Sequence, residues 1–170
     1  MNGLWQAFGE GLLNPVLVPA HALALVALGL FIAWNADHVG ATLVFPAALA
    51  AGLIALTLAV GQTPARIVLL ADTAVIGVLV ATAWAPPKPI GWLLAGIAGA
   101  AIALDSPPQA ITIAQGNAAL IGTALGACAV MFAVIAATGY PSARWHELAM
   151  RILGSWIAAS AILVLAVFLK

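Results

Sequence analysis

The stretch GLLNPVLVPAHALALVALGLFIA, Gly11 to Ala33, holds one amide and one imidazole in an otherwise apolar run. A helix rises about 1.5 Å per residue, so roughly 20 apolar residues cross the ~30 Å hydrocarbon core of a bilayer. The run therefore predicts a transmembrane helix. Pro19 has no amide hydrogen and leaves the carbonyl of Pro15 without its helical donor, which predicts a kink beside His21.

The whole chain shares this apolar character. Of its 170 residues, 65% are hydrophobic and 6% are charged, and the mean hydropathy is +1.19. Such a chain has too little polar surface to coat a water-soluble domain, so we expect an integral membrane protein whose main partner is the lipid bilayer. The formal net charge is zero and the basic residues are scattered, which excludes a nucleic-acid interface.

Six apolar runs are candidate membrane spans, and the polar segments between them are typical of surface turns. They run from Pro15 to Trp34, Gly40 to Val60, Arg66 to Trp84, Ile90 to Leu104, Gly116 to Thr138 and Met150 to Phe168. Because backbone groups cannot remain unpaired in lipid, the runs predict an all-α bundle of six transmembrane helices. We expect one domain over residues 1–170, with residues 1–13 as a short interfacial lead-in.

An even number of spans places both termini on one face, here called side A, and the opposite face is side B. Side A carries Arg66 and Lys170, whereas side B carries Lys88, Arg144 and Arg151. This small excess of basic residues favours side B as the cytoplasmic face. We therefore expect a bacterial inner-membrane protein with both termini outside.

Small residues recur at four-residue spacing in the fourth and fifth runs. They are Ala95, Gly99 and Ala103 in the fourth run, and Gly122 with Gly126 in the fifth. Such spacing lets helix backbones approach closely, so we expect these two helices at contacts within the bundle. An alanine-rich chain also produces this spacing by chance, and a partner protein or a second copy of the chain is an alternative occupant of such faces.

Polar residues that are costly inside a membrane converge on side A. His21 and Asp72 lie about two helical turns into their spans, and Asp105 with Gln109 follows the fourth span. Asn14 precedes His21 by seven residues, which on a continuous helix places both on one face. Imidazole, carboxylate and amide oxygen together are a candidate ligand set for a partly hydrated divalent cation.

Each of these residues also has a purely structural interpretation. His21 can be a packing histidine satisfied by a neighbouring carboxylate or carbonyl, and Asp72 can pair with Arg66 or with the adjacent helix end. Asp105 can cap the turn that precedes two prolines. The sequence alone leaves these alternatives open.

On side B, the pairs Asp37 with His38 and His146 with Glu147 fall between runs and are interpreted as solvated loops. The sequence contains no phosphate-binding glycine loop, no serine nucleophile elbow and no CxxC motif, so we expect no enzymatic activity and no resident cofactor. A divalent metal ion is considered only as a transported solute.

The run from Gly11 to Ala33 resembles the first span of the HupE/UreJ family, membrane proteins of hydrogenase and urease gene clusters regarded as nickel permeases. The family pattern is G-F-x-H-P-x-x-G-x-D-H, and the similarity continues through FPAALAAGLIALTLAVG, ADTAVIGVLVA and GNAALIGTALGACAVMFAVIAATG. The resemblance implies a polytopic membrane fold and a metal-permease function. It covers most of the chain in span order and small-residue pattern.

The family's metal ligands are largely replaced in this chain. Asn14 stands at the first histidine of the pattern, Ala20 at its aspartate, and His21 keeps the second histidine. A later family element, His-Gly-x-x-His, falls on Asp105 and Gln109. Because nickel favours nitrogen donors, a change toward oxygen donors favours harder and more weakly held ions.

These features predict a permease of HupE/UreJ type for a divalent metal cation, nickel-like, or for a small solute. The predicted site contains His21, Asp105, Asp72, Gln109 and Asn14. A non-transporting membrane subunit of a larger complex is the main alternative, and a channel for a neutral gas is a third.

Overall fold

A computed structural model describes residues 2–35, 39–57, 64–108, 112–138 and 144–168. Over these ranges the chain is all α-helical, with seven helices and no strand, so the all-α part of the predicted fold class is confirmed. In chain order the helices are α1 (Asn2–Leu17), α2 (Pro19–Trp34), α3 (Val39–Thr57), α4 (Ala65–Thr82), α5 (Lys88–Leu104), α6 (Ile113–Thr138) and α7 (Arg144–Phe168).

The lengths and composition of these helices support four or five membrane spans. Helices α3, α4, α6 and α7 are each long and apolar enough to cross a membrane, and α1 with α2 qualifies together as one bent pair. Helix α5 is apolar but has only 17 residues. The predicted spans thus coincide with helices, whereas the number of six crossings is not established by the helices described.

The predicted kink at Pro19 is confirmed, and it is a complete break. Helices α1 and α2 meet at 68°, and Val18 between them has an extended backbone with φ −88° and ψ 109°. Pro19 begins α2, where its missing amide hydrogen costs nothing. The predicted lead-in is therefore part of a helix that continues to Leu17.

Helix α7 begins earlier than the predicted sixth span. It starts at Arg144, so His146 and Glu147 lie in its first turn and not in a loop. A carboxylate in the first turn interacts favourably with the positive end of the helix dipole. Hydropathy finds only the apolar part of a helix, so the polar first turn of α7 was assigned to a loop. The other predicted loop pair, Asp37 with His38, lies outside the described residues.

Helix α2 is the centre of the bundle. It contacts every other helix, while α1 packs along α6, α3 along α5, and α4 along α7. The side chains of Leu25, Leu28 and Phe31 in α2 are completely buried. Burial of apolar side chains and close packing hold α2 in place, since its sequence has almost no polar face.

Close backbone approach within the helix pairs confirms the prediction made from the small residues. A Cβ atom added to Gly122 or Gly126 would collide with the backbone of α1, and one added to Gly99 would collide with the backbone of α3. Gly77 in α4 and Gly154 in α7 likewise face each other's helix backbone. These faces are therefore occupied by helices of the same chain.

The outer surface of the bundle is apolar. Fully helical, outward-facing residues such as Leu43 in α3, Ile121 in α6, and Trp156 with Leu163 in α7 expose more than half of their side-chain surface. An exposed apolar surface of this extent marks a lipid or protein contact on a folded chain. Together with the helix lengths it indicates a membrane protein.

Candidate functional site

A polar cavity of about 550 Å³ lies between α1, the first half of α6 and the residues that follow α5. Its walls are built by four separate parts of the chain, because Arg66 of α4 also lines it. The lining residues are Gly3, Gln6, Ala7, Glu10, Gly11, Asn14, Val18, Arg66, Asp105, Ser106, Pro107, Pro108, Gln115, Ala119, Leu120 and Thr123.

Helix α1 turns a polar stripe toward this cavity. Gln6, Glu10 and Asn14 are spaced by four residues, so they lie on one helix face, and all three line the cavity. The Gln6 amide donates to Glu10 Oε1 at 3.1 Å. On the opposite face Trp5 and Val16 are exposed. An apolar outer face and a polar inner face are what a helix needs between lipid and a water-filled cavity.

A hydrogen-bonded cluster of charged groups stands at one end of the cavity. The Oδ2 atom of Asp105 lies 3.0 Å from His21 Nε2 and accepts a hydrogen bond from Arg66 Nε at 3.1 Å. The side chain of His21 is completely buried, that of Asp105 is 13% exposed, and that of Arg66 is 44% exposed. The cluster therefore extends from Arg66 at the cavity, through Asp105, to His21 in the bundle core.

The ring of His21 is only half satisfied. An ionised carboxylate can only accept, so the hydrogen in its bond with Asp105 is carried by Nε2. The other ring nitrogen, Nδ1, is buried and has no partner among the described residues. The structural interpretation of His21, a histidine paired with a neighbouring carboxylate, is thus confirmed for one of its two nitrogens.

Burial by itself would raise the pKa of Asp105, but the hydrogen bonds from His21 and Arg66 outweigh it. Coulombic attraction to the guanidinium of Arg66 and to His21 adds to the effect. The pKa of Asp105 is therefore held below its usual value, and the group is a carboxylate at neutral pH.

A second hydrogen-bonded chain connects α1 to the end of α5. The Asn14 amide donates to Ser106 Oγ at 3.2 Å, and the Ser106 hydroxyl donates to the carbonyl of Ile102 at 2.7 Å. Asn14 and His21 were expected to share a helix face, but the break at Val18 puts them on different helices. Asn14 is joined to the cluster through the neighbour of Asp105 and not through α2.

Local sequence signals explain why these groups meet. Pro19 begins α2, so His21 lies in its first turn, and Arg66 lies in the first turn of α4. Asp105 caps the C-terminus of α5, where Pro107 and the proline after it prevent the helix from continuing. The starts of α2 and α4 and the end of α5 meet at one end of the bundle, as expected for side A. The carboxylate of Asp105 therefore lies near the positive ends of the α2 and α4 helix dipoles.

The predicted site residues divide into three groups. His21 and Asp105 are in direct contact, and Asn14 lines the same cavity. Asp72 does not line it, and its carboxylate oxygens have no hydrogen-bond partner in the described part of the chain. Its predicted alternative pairing with Arg66 is wrong, because Arg66 pairs with Asp105. Gln109 lies outside the described residues.

The geometry gives little support to a preformed metal centre. Among the described residues no group of three or more His, Cys, Asp or Glu side chains is close enough to hold a metal ion. The one imidazole and the carboxylate that do meet already bind each other, and the guanidinium of Arg66 occupies the same carboxylate oxygen. A cation would have to displace Arg66 to gain that oxygen.

Several cavity residues were missed from the sequence. They are Gln6 and Glu10 on α1, Ser106 after α5, and Gln115 with Thr123 on α6. The four-residue spacing of Gln6, Glu10 and Asn14 was the available signal, because it gives a polar stripe to an otherwise apolar helix. It was hidden by the interpretation of residues 1–13 as a lead-in.

No family model, no curated protein and no solved structure matches this chain. The features that bear on function are therefore the bundle, its polar cavity and the charged cluster. These features define a class of protein: an apolar helical bundle with a polar cavity of about 550 Å³ at one end.

Proposed function

We propose that the protein is a membrane permease whose solute enters through the cavity between α1, α5 and α6. The observation that carries this proposal is the polar lining of a 550 Å³ space in a bundle whose outer surface is apolar. In lipid, polar side chains are retained at high cost and mark solute or ion pathways. The HupE/UreJ resemblance of the first span favours the same class of function.

The proposed membrane arrangement has six crossings. In it the bent pair α1 and α2 is one span, and α5 is a short span. Its 17 residues measure about 25 Å, less than the ~30 Å of hydrocarbon. This shorter length is consistent with the cavity, because α5 ends at Leu104 and the next residue, Asp105, lines the cavity. Both termini then lie on the cavity side, outside the bacterial inner membrane according to the basic-residue bias.

The charged cluster is proposed to close the inner end of the entry cavity. The buried contact between His21 and Asp105 ties the start of α2 to the end of α5, and Arg66 adds the start of α4. A solute that passes deeper must separate these groups or replace one of them. Alternating exposure of a central site by such local rearrangement is a general solution among transporters with broken helices.

The lining favours a small cation or a neutral hydrogen-bonding solute over an anion. Arg66 and Asp105 neutralise each other, while Glu10 contacts only the Gln6 amide among its described hydrogen bonds. The cavity thus contributes one uncompensated negative charge and the oxygens of Asn14 and Gln115. Among small cations, the family resemblance favours a hydrated, nickel-like divalent cation as the solute.

The alternative of a non-transporting subunit was based on the very low charge, on the replaced family ligands and on small-residue faces that are free to bind a partner. In the structure the glycines of α5 and α6 are used inside the chain, against α3 and α1. The permease proposal needs no partner, and the polar cavity would have no purpose in a tethering subunit.

Uptake into proteoliposomes tests the proposal, with Ni²⁺ and methylammonium as probes. We expect the protein to accelerate uptake of at least one probe, and Glu10→Gln to reduce it about tenfold, the effect of losing a charge-assisted contact of ~1.5 kcal/mol. Glu147→Gln is the matched control, because Glu147 is exposed in α7 away from the cavity. Equal uptake by Glu10→Gln and the unmodified protein would contradict the assignment of the cavity.

A further inference from the structure

Asp72 is a buried acid that the entry cavity does not use. It lies in α4, one of the helices that are long and apolar enough to cross a membrane. Its side chain is 6% exposed, and neither carboxylate oxygen has a hydrogen-bond partner among the described residues. A carboxyl group in this position is costly to keep and is a functional candidate by default.

The surroundings of Asp72 on its own helix cannot stabilise a negative charge. Leu69 and Ile76, one turn away on either side, are completely buried. The hydroxyl of Thr73 is buried too, but its hydrogen is donated to the carbonyl of Leu69 at 2.7 Å. An ionised carboxylate without donors is far less stable in such an interior than the neutral acid.

No described charge on the neighbouring helices compensates Asp72 either. Helix α4 packs against α2, α5 and α7. The described titratable or cationic side chains of these helices and of α4 itself are Arg66, His21, Lys88, His146, Glu147 and Arg151. None of them is hydrogen bonded to Asp72, and His21 and Arg66 are engaged by Asp105.

We propose that Asp72 is a proton-binding site inside the membrane and that, if the permease function proposed above holds, its proton is exchanged for the transported solute. The step balances without any other reactant: one carboxylate oxygen takes a proton from water and returns it to water. A metal cation needs several oxygen ligands, and no described cluster of three acidic, imidazole or thiol groups exists to supply them. A proton needs only the carboxyl group itself.

Infrared spectroscopy of the full chain in lipid nanodiscs tests the proton site without any solute. We expect the carbonyl band of a protonated, non-hydrogen-bonded carboxylic acid at neutral pH, absent from Asp72→Asn and retained in Glu147→Gln. Asparagine has nearly the shape of the neutral acid, so the variant should fold and elute as the unmodified protein does. A band that persists in Asp72→Asn, or no such band in the unmodified protein, overturns the proposal.

Proton movement during transport tests the coupling. In the first assay, proteoliposomes with a trapped pH-sensitive dye receive Ni²⁺ or methylammonium, and the dye reports proton movement. In the second, exchange of Ni²⁺ is measured with equal Ni²⁺ concentrations on both sides of the membrane. We expect Asp72→Asn to lose the dye signal and to keep exchange within about twofold. Proton movement coupled to transport in Asp72→Asn overturns the role of Asp72. Transport that depends on a Na⁺ gradient and not on a proton gradient overturns it as well.

The two experiments separate failure of this inference from failure of the proposed function. If the infrared band belongs to Asp72 but neither probe is transported, the proton site stands, and the permease function falls together with the coupling. If transport is observed and Asp72→Asn behaves like the unmodified protein in both assays, the permease stands and the inference is wrong.

Discussion

Replacing Asp105 by alanine removes the one acceptor shared by His21 and Arg66. The bond to His21 is buried, and its loss leaves a donor without a partner in the core, which costs about 1 to 3 kcal/mol. The bond to Arg66 contributes less, at most ~1 kcal/mol, because the guanidinium is 44% exposed and screened by water. We therefore expect Asp105→Ala to lower the free energy of unfolding by roughly 1 to 4 kcal/mol.

The assay is equilibrium unfolding of the purified protein in mixed detergent micelles, followed by far-ultraviolet circular dichroism. Asp105→Asn is the graded variant: its amide oxygen still accepts one hydrogen bond, so we expect about half of the loss. Glu147→Ala is the matched control, since Glu147 is an exposed carboxylate, and we expect a change within ±0.5 kcal/mol. An Asp105→Ala protein as stable as the control would show that the cluster does not hold α2, α4 and α5 together.

Four further outcomes follow from the structure. Gly11→Ala should destabilise the fold by about 1 to 3 kcal/mol, because its Cβ would collide with the backbone of Ala119. Gly9→Ala, with open space around it, should be neutral or stabilising by up to ~1 kcal/mol in the same unfolding assay. Stability should fall at acid pH, because folding holds the pKa of Asp105 below its usual 3.8. The stabilisation from the ionised carboxylate is fully present above pH 3.8 and is lost as the pH drops through the lower pKa that Asp105 has in the folded state. A denaturation series from neutral to acid pH should show this loss in the unmodified protein and a flatter profile in Asp105→Asn. Pro19→Ala restores a donor for the carbonyl of Pro15, and spin labels on α1 and α2 should report an angle smaller than the present 68°.

Much of the fold follows from hydropathy alone. Apolar runs in a chain of this composition must be helices, and the prolines and glycines between them mark where helices end. The spacing of Gly122 and Gly126 even indicated a close helix contact, although it could not indicate that α1 would be the partner. A small-residue face says how near a neighbour lies and nothing about which neighbour it is.

The N-terminal region shows where hydropathy fails. Residues of α1 alternate between an apolar outer face and the polar stripe of Gln6, Glu10 and Asn14, so their average hydropathy hides a helix with two different environments. The break at Val18 then moved Asn14 off the helix of His21. A single proline predicts that a helix bends, but the size of the bend depends on packing against α6, which is a tertiary effect.

The candidate site was only partly predictable for a similar reason. Convergence of His21 and Asp105 on one end of the bundle follows from counting spans, and both do meet there. Asp72 lies at a similar distance along its span, but depth does not specify which face of α4 a side chain occupies within the bundle. Which polar groups touch is decided by helix rotation, which the packing of α4 against α7 fixes.

Blocking the cavity beside α1 chemically shows whether solute enters through it. Cys128 is the single cysteine of the chain, so Cys128→Ala gives a background in which Gln115→Cys places a thiol on the cavity wall. Ile113→Cys, two residues earlier on α6 and 86% exposed, is the matched control, since Ile113 does not line the cavity. If solute passes through this cavity, a charged, membrane-impermeant thiol reagent labels both variants and stops probe uptake only in Gln115→Cys. Full uptake by labelled Gln115→Cys would contradict this route.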